Sequence, residues 1–463
     1  MSYDLHMSPD DFRRRGHQMV DWVADYLENI EQYPVISQVK PGEVRAALPA
    51  AAPEGPEPFE TVLRDLDEII MPGITHWQSP HWYAYFPANS SGPSLLGELA
   101  AAGLGVQGML WATSPAATEL ETVVVDWMVD LLGLPTEWKT TGRGGGVIQM
   151  SASDSTLVAL VTAREQAAAP TDTLVVYASD QTHSSLEKGA RIAGFSHVRS
   201  IRTDAQFALD LAALQQAITA DRDAGLIPAF VAVTVGTTAT TAVDPVRQTA
   251  TIATREGMWC HVDAAYAGSA MICPEFRHHQ DGLDLVDSYT FNPHKWMLTN
   301  FDCNLYYVAD RRPLLDAMSI LPPYLRNEAT LSGDVIDYRD WHVPLGRRFR
   351  SLKLWFVLRH YGAEGIRRFI REHVRLAQDL AGRLEADDRF ELVAPHPFGL
   401  VVFRHTDGNE ATAQLAKHLN SSGRVAVTPT MLGDATAIRV SIGSTRTTAD
   451  HVDQLWSMIG ELA

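Results

Sequence analysis

Four short segments of the 463-residue chain carry side chains suited to chemistry. In the first, residues 148–155 read IQMSASDS, and an apolar run gives way to small hydroxyl residues ahead of a helix predicted over 156–164. Ser151, Ala152 and Ser153 then offer hydroxyls and free backbone N–H groups at a helix start, an arrangement that suits a phosphate. An ordinary N-cap at Ser153 explains the same residues without a ligand. In the second segment, SDQTHSSLEKG (179–189), His183 lies between a strand and a helix, where a lone histidine is usually structural. The third, HVDAAYAGSA (261–270), places Asp263 at the end of an apolar strand. A buried carboxylate is costly without a cationic or hydrogen-bonding partner, and the small Ala265 leaves room for something flat. The fourth, SYTFNPHKW (288–296), sets Lys295 at a strand end among aromatic residues, with Asn292 and His294 beside it. Desolvation lowers the pKa of a lysine and turns it into a usable amine nucleophile. A solvated lysine with aromatic neighbours is the bland alternative.

Each segment alone is weak. Together they supply a phosphate cradle, a flat slot, an acid for one ring edge and an imine-forming lysine, which are the needs of pyridoxal 5′-phosphate. Lys295 would hold the aldehyde as a Schiff base. Asp263 would pair with the pyridinium nitrogen and keep the ring an electron sink, and His183 would stack on the ring face.

These segments need a scaffold that brings strand ends together. The runs 174–177, 230–235, 259–262 and 288–291 are strand-like, and helical patterns at 209–220 and 246–256 lie between them. That alternation predicts an α/β fold with a mostly parallel sheet flanked by helices, in which ligands bind at the strand ends. Ahead of it, Ser8 caps an amphipathic helix over 8–31, residues 48–59 read as a linker, and a second helix covers 63–70. After a long helix over 352–384, strands at 390–393, 400–403, 425–427 and 437–442 and a helix at 411–419 form a smaller α+β unit. The expected domains are an N-terminal helical segment (1–91), a large α/β domain (92–353) and a small C-terminal domain (354–463).

Several patterns compete and fail. Gly103-Leu-Gly105-Val-Gln-Gly108 matches a dinucleotide fingerprint but follows an Ala-rich helical stretch rather than a strand. The glycines at 142 and 144–146 read as a flexible turn and lack the lysine of a P-loop. His278 and His279 are adjacent, cannot converge on one ion, and read as a solvated loop. No metal site is expected. The net charge of −18 argues against nucleic acid or an anionic membrane as the main partner. The three cysteines fit a reducing compartment rather than a disulfide framework. The start MSYDLHMSPDDFRRRG has no apolar run after its charges and no stretch is long enough to span a bilayer, so a cytoplasmic protein is expected.

The string NPHKW, with HVDAAYAGSA upstream, resembles the group II pyridoxal-phosphate decarboxylases, and within them the aromatic L-amino acid decarboxylases. The likeness covers nearly the whole chain. It includes HWQSPHWYAYFPANSS (76–91), SPAATELETVVVDW (114–127), SASDSTLVAL (151–160), ICPEFRH (272–278), NFDC (300–303) and PLGRRFRSLKLWFVLR (344–359). It implies fold-type I, with a seven-stranded large-domain sheet, and an obligate homodimer with shared active sites. It implies that Lys295 is the Schiff-base lysine, Asp263 the pyridine partner, and Ala265 the residue packed on the ring opposite His183. Ser151, Ala152, Ser153 and Asn292 would hold the phosphate with His294 beside it, and Thr238 would line the slot. Arg439 matches a small-domain arginine of the family.

The resemblance also implies a loop tyrosine over the active site, here Tyr324 in LPPYL (321–325), which with His183 would protonate the carbanion left by CO₂. Relatives that make aldehydes replace that tyrosine by Phe or that histidine by Asn. This chain keeps both, which favours simple decarboxylation to an amine over an aldehyde synthase; a transaminase would need a keto-acid acceptor, and the intact set of Lys295, Asp263, His183 and Tyr324 counts against a non-catalytic homologue. The substrate pocket would draw on Trp77, Tyr85, Phe86, Pro87 and Ala88, with Gln107 and Met109 from the other subunit. Gln107 and Met109 stand where Ile and Phe are usual, and Ala88 where Thr is usual, which counts against a catechol preference. Gly346 matches a small residue of indole-accepting relatives and leans the expectation towards tryptophan or a substituted tryptophan, with phenylalanine, tyrosine and DOPA open.

Overall fold

The computed structural model describes residues 6–320 and 327–463, so Tyr324 lies outside the described residues. A seven-stranded sheet forms the centre: β1 (Gly145–Gln149), β2 (Leu174–Ser179), β3 (His197–Ile201), β4 (Ile227–Thr234), β5 (Trp259–Asp263), β6 (Ser288–Phe291) and β7 (Asn304–Val308). Their order is β1-β7-β6-β5-β4-β2-β3. Only β7 runs against its neighbours, pairing antiparallel with β1 and β6. Every residue of β2 and β5 is buried, as parallel strands covered on both faces require, which is why they read as unbroken apolar runs. The mostly parallel sheet follows the expectation. The C-terminal ends of β1, β2, β4, β5 and β6 therefore open on one edge.

A four-stranded antiparallel sheet makes the smaller unit: β8 (Phe390–Leu392), β9 (Leu400–His405), β10 (Thr428–Leu432) and β11 (Ala435–Ser441), in the order β10-β11-β9-β8. The helices Asn409–Ser421 and Ala449–Leu462 pack on it over a separate apolar core that includes Leu415, Leu419, Leu455 and Ile459. One long helix, Arg350–Glu385, joins the two units and is broken at Gly362, whose φ is 64°.

Some local expectations are corrected. Residues 425–427 are not a strand; Ala426 makes only an isolated bridge to Trp82, and the strand starts at Thr428. The helix predicted from 156 starts at Ala152, so the N-cap is Ser151 rather than Ser153, and Ser151 Oγ accepts the Asp154 N–H. Gly145 and Gly146 are no flexible turn. They belong to β1, where a Cβ would press on Trp341 and Tyr307 at 2.5 Å each. His278 and His279 sit in the 3-10 helix Pro274–Gln280 rather than in a loop; His278 is exposed as expected, while His279 packs edge-on to Phe398. The Gly103–Gly108 decoy ends the helix Gly92–Leu104, with Gly105 in a left-handed conformation. No helix among the described residues is long and apolar enough to cross a membrane.

Candidate active site

A cavity of about 210 Å³ opens at the strand edge. All ten residues expected around a cofactor line it: Ser151, Ala152, Ser153, His183, Thr238, Asp263, Ala265, Asn292, His294 and Lys295. Phe86, Ser185, Thr234, Gly236, Tyr266 and Phe301 line it as well. Of these only Phe86 was singled out by the sequence, and as a substrate contact.

One wall is the start of the helix Ala152–Ala167. Its first N–H groups, at Ala152 and Ser153, have no carbonyl one turn back to receive them. Asn292 lies opposite, its Oδ1 accepting from Asn304 Nδ2 at 2.6 Å, so its own amide N–H groups remain for another partner. His294 Nδ1 accepts the Cys303 N–H at 2.9 Å, which leaves the ring proton on Nε2. Burial, with help from the nearby Lys295 charge, pushes the His294 pKa down to about 3, so the ring donates while neutral. This wall is a set of neutral donors suited to a dianion.

The opposite end carries charge. Asp263 is the last residue of β5, and its Oδ1 accepts the Ala265 N–H at 2.9 Å, which turns the chain tightly and leaves Oδ2 free. The buried Lys295 amine lies 5.3 Å from the centre of the Phe86 ring. Burial lowers its pKa, opposed by Asp263 and reinforced by Arg439. Arg439, on β11, reaches over from the smaller unit: its guanidinium is 5.2 Å from the Phe86 ring and its Nε donates to the Ala239 carbonyl. His183 follows β2, and its Nδ1 accepts the Ser185 N–H at 3.2 Å and meets Ser185 Oγ at 2.8 Å. Burial lowers its pKa, and Lys295 adds to that against the pull of Asp263.

The residues present fit a flat aromatic phosphate. Thr234 lines this cavity as well, and its buried Oγ1 has no hydrogen-bond partner among the described residues. Gly236, at φ 85°, lets the chain pass Ala267, which a Cβ would meet at 2.6 Å. The substrate residues divide. Of these only Phe86 lines the cavity with Lys295; Trp77 and Tyr85 stack on each other at 5.6 Å outside its lining, Pro87 packs beside Gly443, and the Ala88 carbonyl accepts a hydrogen bond from Gln78. Gln107 and Gly346 instead line a separate cavity of about 460 Å³, beside Arg347 and Arg348. Met109 is tied elsewhere too, its carbonyl accepting the Arg339 N–H. Within one chain these three do not reach Lys295. One other cluster of ligating types occurs among the described residues, Glu31 with His81 and His451. There His451 Nδ1 accepts the Thr448 N–H, so its proton sits on Nε2 facing Glu31, 3.5 Å away, an arrangement for hydrogen bonding rather than for a metal ion.

Residues 41–406 match the model of the pyridoxal-dependent decarboxylase conserved domain. The chain belongs to the pyridoxal-dependent decarboxylases. Its similarity to relatives places it among the aromatic amino acid members. It is 47% identical to phenylacetaldehyde synthase of Arabidopsis thaliana, across 99% of this chain and 96% of the relative. It is 45% identical to the aromatic-L-amino-acid decarboxylase of Rattus norvegicus, across 99% and 98%. Its fold superposes on the crystal structure of Oryza sativa tryptophan decarboxylase with pyridoxal phosphate and tryptamine, with a TM-score of 0.97 and 42% identity over 98% of each chain. A decarboxylase of this family works through pyridoxal 5′-phosphate, and the cavity at Lys295 has the chemistry to hold it.

Proposed function

We propose that this decarboxylase converts an aromatic L-amino acid into the arylalkylamine and CO₂, with Lys295 as the residue that carries the cofactor. One observation carries the reading. A desolvated lysine, a carboxylate and a cradle of neutral donors share one cavity in the order that pyridoxal phosphate needs. Bound there, the cofactor supplies an aldehyde that condenses with amines and a ring that takes up the electron pair released from Cα when CO₂ departs.

The chain's own residues do the rest. Ala152 and Ser153 N–H groups, the Asn292 amide and the neutral His294 would hold the phosphate, with Ser151, whose hydroxyl donates to Asp154 Oδ2 at 2.9 Å, capping the helix that presents them. Asp263, whose Oδ1 accepts the Ala265 N–H, would offer its other oxygen to the ring nitrogen and favour its protonated form. Ala265 and His183 bracket the flat slot, and Thr238 closes its edge. His183 carries its proton on Nε2, and with Tyr324 delivers a proton to Cα once CO₂ has left. Arg439 lends positive potential and helps keep the Lys295 amine unprotonated.

The reading extends to a homodimer, in which Gln107 and Met109 serve the partner's site. The helix Gly92–Leu104 supports it by leaving Leu96, Leu99 and Leu104 exposed beside them. We assign the segments 1–91, 92–353 and 354–463 to N-terminal, large and small domains, with the helix Arg350–Glu385 running across the boundary between the last two. Apolar and aromatic residues around the slot suit an aromatic side chain. Gly346, where a Cβ would approach Gln107 Oε1 to 3.5 Å, supports room for an indole, so tryptophan or a substituted tryptophan is preferred over phenylalanine, tyrosine or DOPA.

The similarity to an aldehyde synthase keeps a second reading, decarboxylation with oxidative deamination. The test is to supply the holoenzyme with the aromatic amino acids, DOPA and 5-hydroxytryptophan and to measure CO₂, amine and hydrogen peroxide together. Amine equal to CO₂ with no peroxide supports the proposal. Peroxide equal to CO₂ selects the second reading, and reaction of phenolic acids alone rejects the indole preference.

A further inference from the structure

Lys295 is followed directly by Trp296, and the two side chains part company. Trp296 is fully buried and begins a stack of flat groups that runs away from the cavity and back to it. Its ring lies on Tyr266 at 4.8 Å and 12°. Tyr266 lies on Phe86 at 3.9 Å and 12°, and the Phe86 ring faces the Lys295 amine. At the other end the Trp296 Nε1–H donates to His373 Nδ1 at 2.9 Å, with the two rings within 3° of parallel. His373 is buried in the second half of the helix Arg350–Glu385, beyond the break at Gly362.

We infer that His373 is a positioning residue for Lys295, fixing the Trp296 indole and through it both the lysine backbone and the Phe86 face that shields the amine. The inference rests on the proposed role of Lys295. A buried indole N–H without an acceptor costs more than its hydrogen bond contributes, so its acceptor decides where the ring settles. The rest of the stack has no slack to absorb a shift. A Cβ on Gly399 would come within 2.7 Å of Tyr266 Oη and 3.2 Å of Trp296. One on Gly443 would come within 2.6 Å of Pro87 and 3.4 Å of Trp296. Both glycines follow or precede strands of the smaller unit, so that unit grips the stack from the side while His373 grips its end. The Lys295–Trp296 helix has only four residues, Pro293–Trp296, and cannot hold its own geometry. A tilted indole therefore loosens Phe86 and admits water to the amine. Asp263 and Arg439 are the charged groups facing that amine, and His183 and His294 are the titratable rings beside it in the cavity. No hydrogen bond or ring contact joins any of the four to His373, so their influence stays constant in the comparison.

His373→Phe keeps a flat ring and removes the acceptor, while His373→Gln restores an acceptor. In the apoenzyme, the pH dependence of Lys295 reductive methylation, read by peptide mass spectrometry, reports the amine pKa without any catalysis. The Phe variant is expected to move that pKa up by about half a unit or more, towards the ordinary lysine value. In the holoenzyme its kcat is expected to fall about tenfold with KM changed less than about twofold, and Gln to recover most of the loss. Trp296→Phe, which removes the donor, is expected to give the same shift and stands in if the His373 variants do not fold. A folded Phe variant with a wild-type methylation profile, or a Gln variant as impaired as Phe, overturns the inference. A wild-type enzyme that carries no cofactor on Lys295 overturns the proposed function, and this inference with it.

Discussion

The Ser185 N–H donates to His183 Nδ1 at 3.2 Å, and its hydroxyl lies 2.8 Å from the same nitrogen. A backbone donor cannot rotate away, so the neutral ring carries its proton on Nε2, the atom left for the cavity. Ser185→Ala keeps the backbone bond and removes the hydroxyl. It is expected to lower kcat by about three- to tenfold while cofactor affinity holds. Steady-state kinetics with a cofactor titration checks this, and an unchanged kcat removes Ser185 from the account.

Asp263 offers one oxygen to the Ala265 N–H and one to the cavity, and it opposes the lowering of the Lys295 pKa. Asp263→Asn keeps the turn and deletes the charge. The apoenzyme amine of Lys295 is then expected to titrate at still lower pH, because the group that favoured its charged form is gone. Activity is expected to fall on the order of 10²–10³-fold. Methylation of Lys295 against pH separates the two effects, and an amine pKa that rises instead contradicts the geometry.

Tyr324 is assigned the proton that reaches Cα. With Tyr324→Phe, amine formation is expected to be suppressed, with aldehyde and hydrogen peroxide appearing in the presence of oxygen. Amine produced at the wild-type rate would show that this tyrosine has no such role.

The sheet was legible because parallel strands leave a plain mark: β4, β5 and β6 are buried on both faces and read as apolar runs. The cavity at Lys295 was legible because many of its lining residues cluster at the ends of those runs. What stayed hidden depends on partners distant in the chain. Thr234 reaches the cavity from the end of β4, which carries no motif, and Tyr266 reaches it from within HVDAAYAGSA, where Asp263 and Ala265 alone suggested a role. Residues 425–427 look like a strand, yet the N-terminal segment takes their backbone through the Trp82 bridge. Ser151 rather than Ser153 caps its helix because β1 ends at Gln149 and leaves Ser151 extended, with φ −154°. The Trp296–His373 bond joins residues 77 apart, which no local pattern announces.

Stability is expected to follow the buried histidines. Burial holds His261 and His373 at about 4 and His294 and His342 at about 3, all below the free value. Their folded values are depressed, so the stability they permit is present above about pH 6.5 and is lost as pH falls towards 4 and 3. Asp244 and Asp287 act in the opposite sense. Burial raises them to about 7 and about 6, so the fold gains as they protonate between there and 3.8. Four histidines outweigh two carboxylates, and the melting temperature is expected to fall between pH 6.5 and 4.5. A melting temperature that is flat or rising over that interval contradicts the balance.

The cofactor's covalent seat is the point on which the rest turns. Holoenzyme reduced with borohydride and digested is predicted to yield one pyridoxyl-modified peptide, with the added mass on Lys295 and on no other lysine. An unmodified Lys295 peptide, or the label on Lys353 or Lys188, would contradict the account.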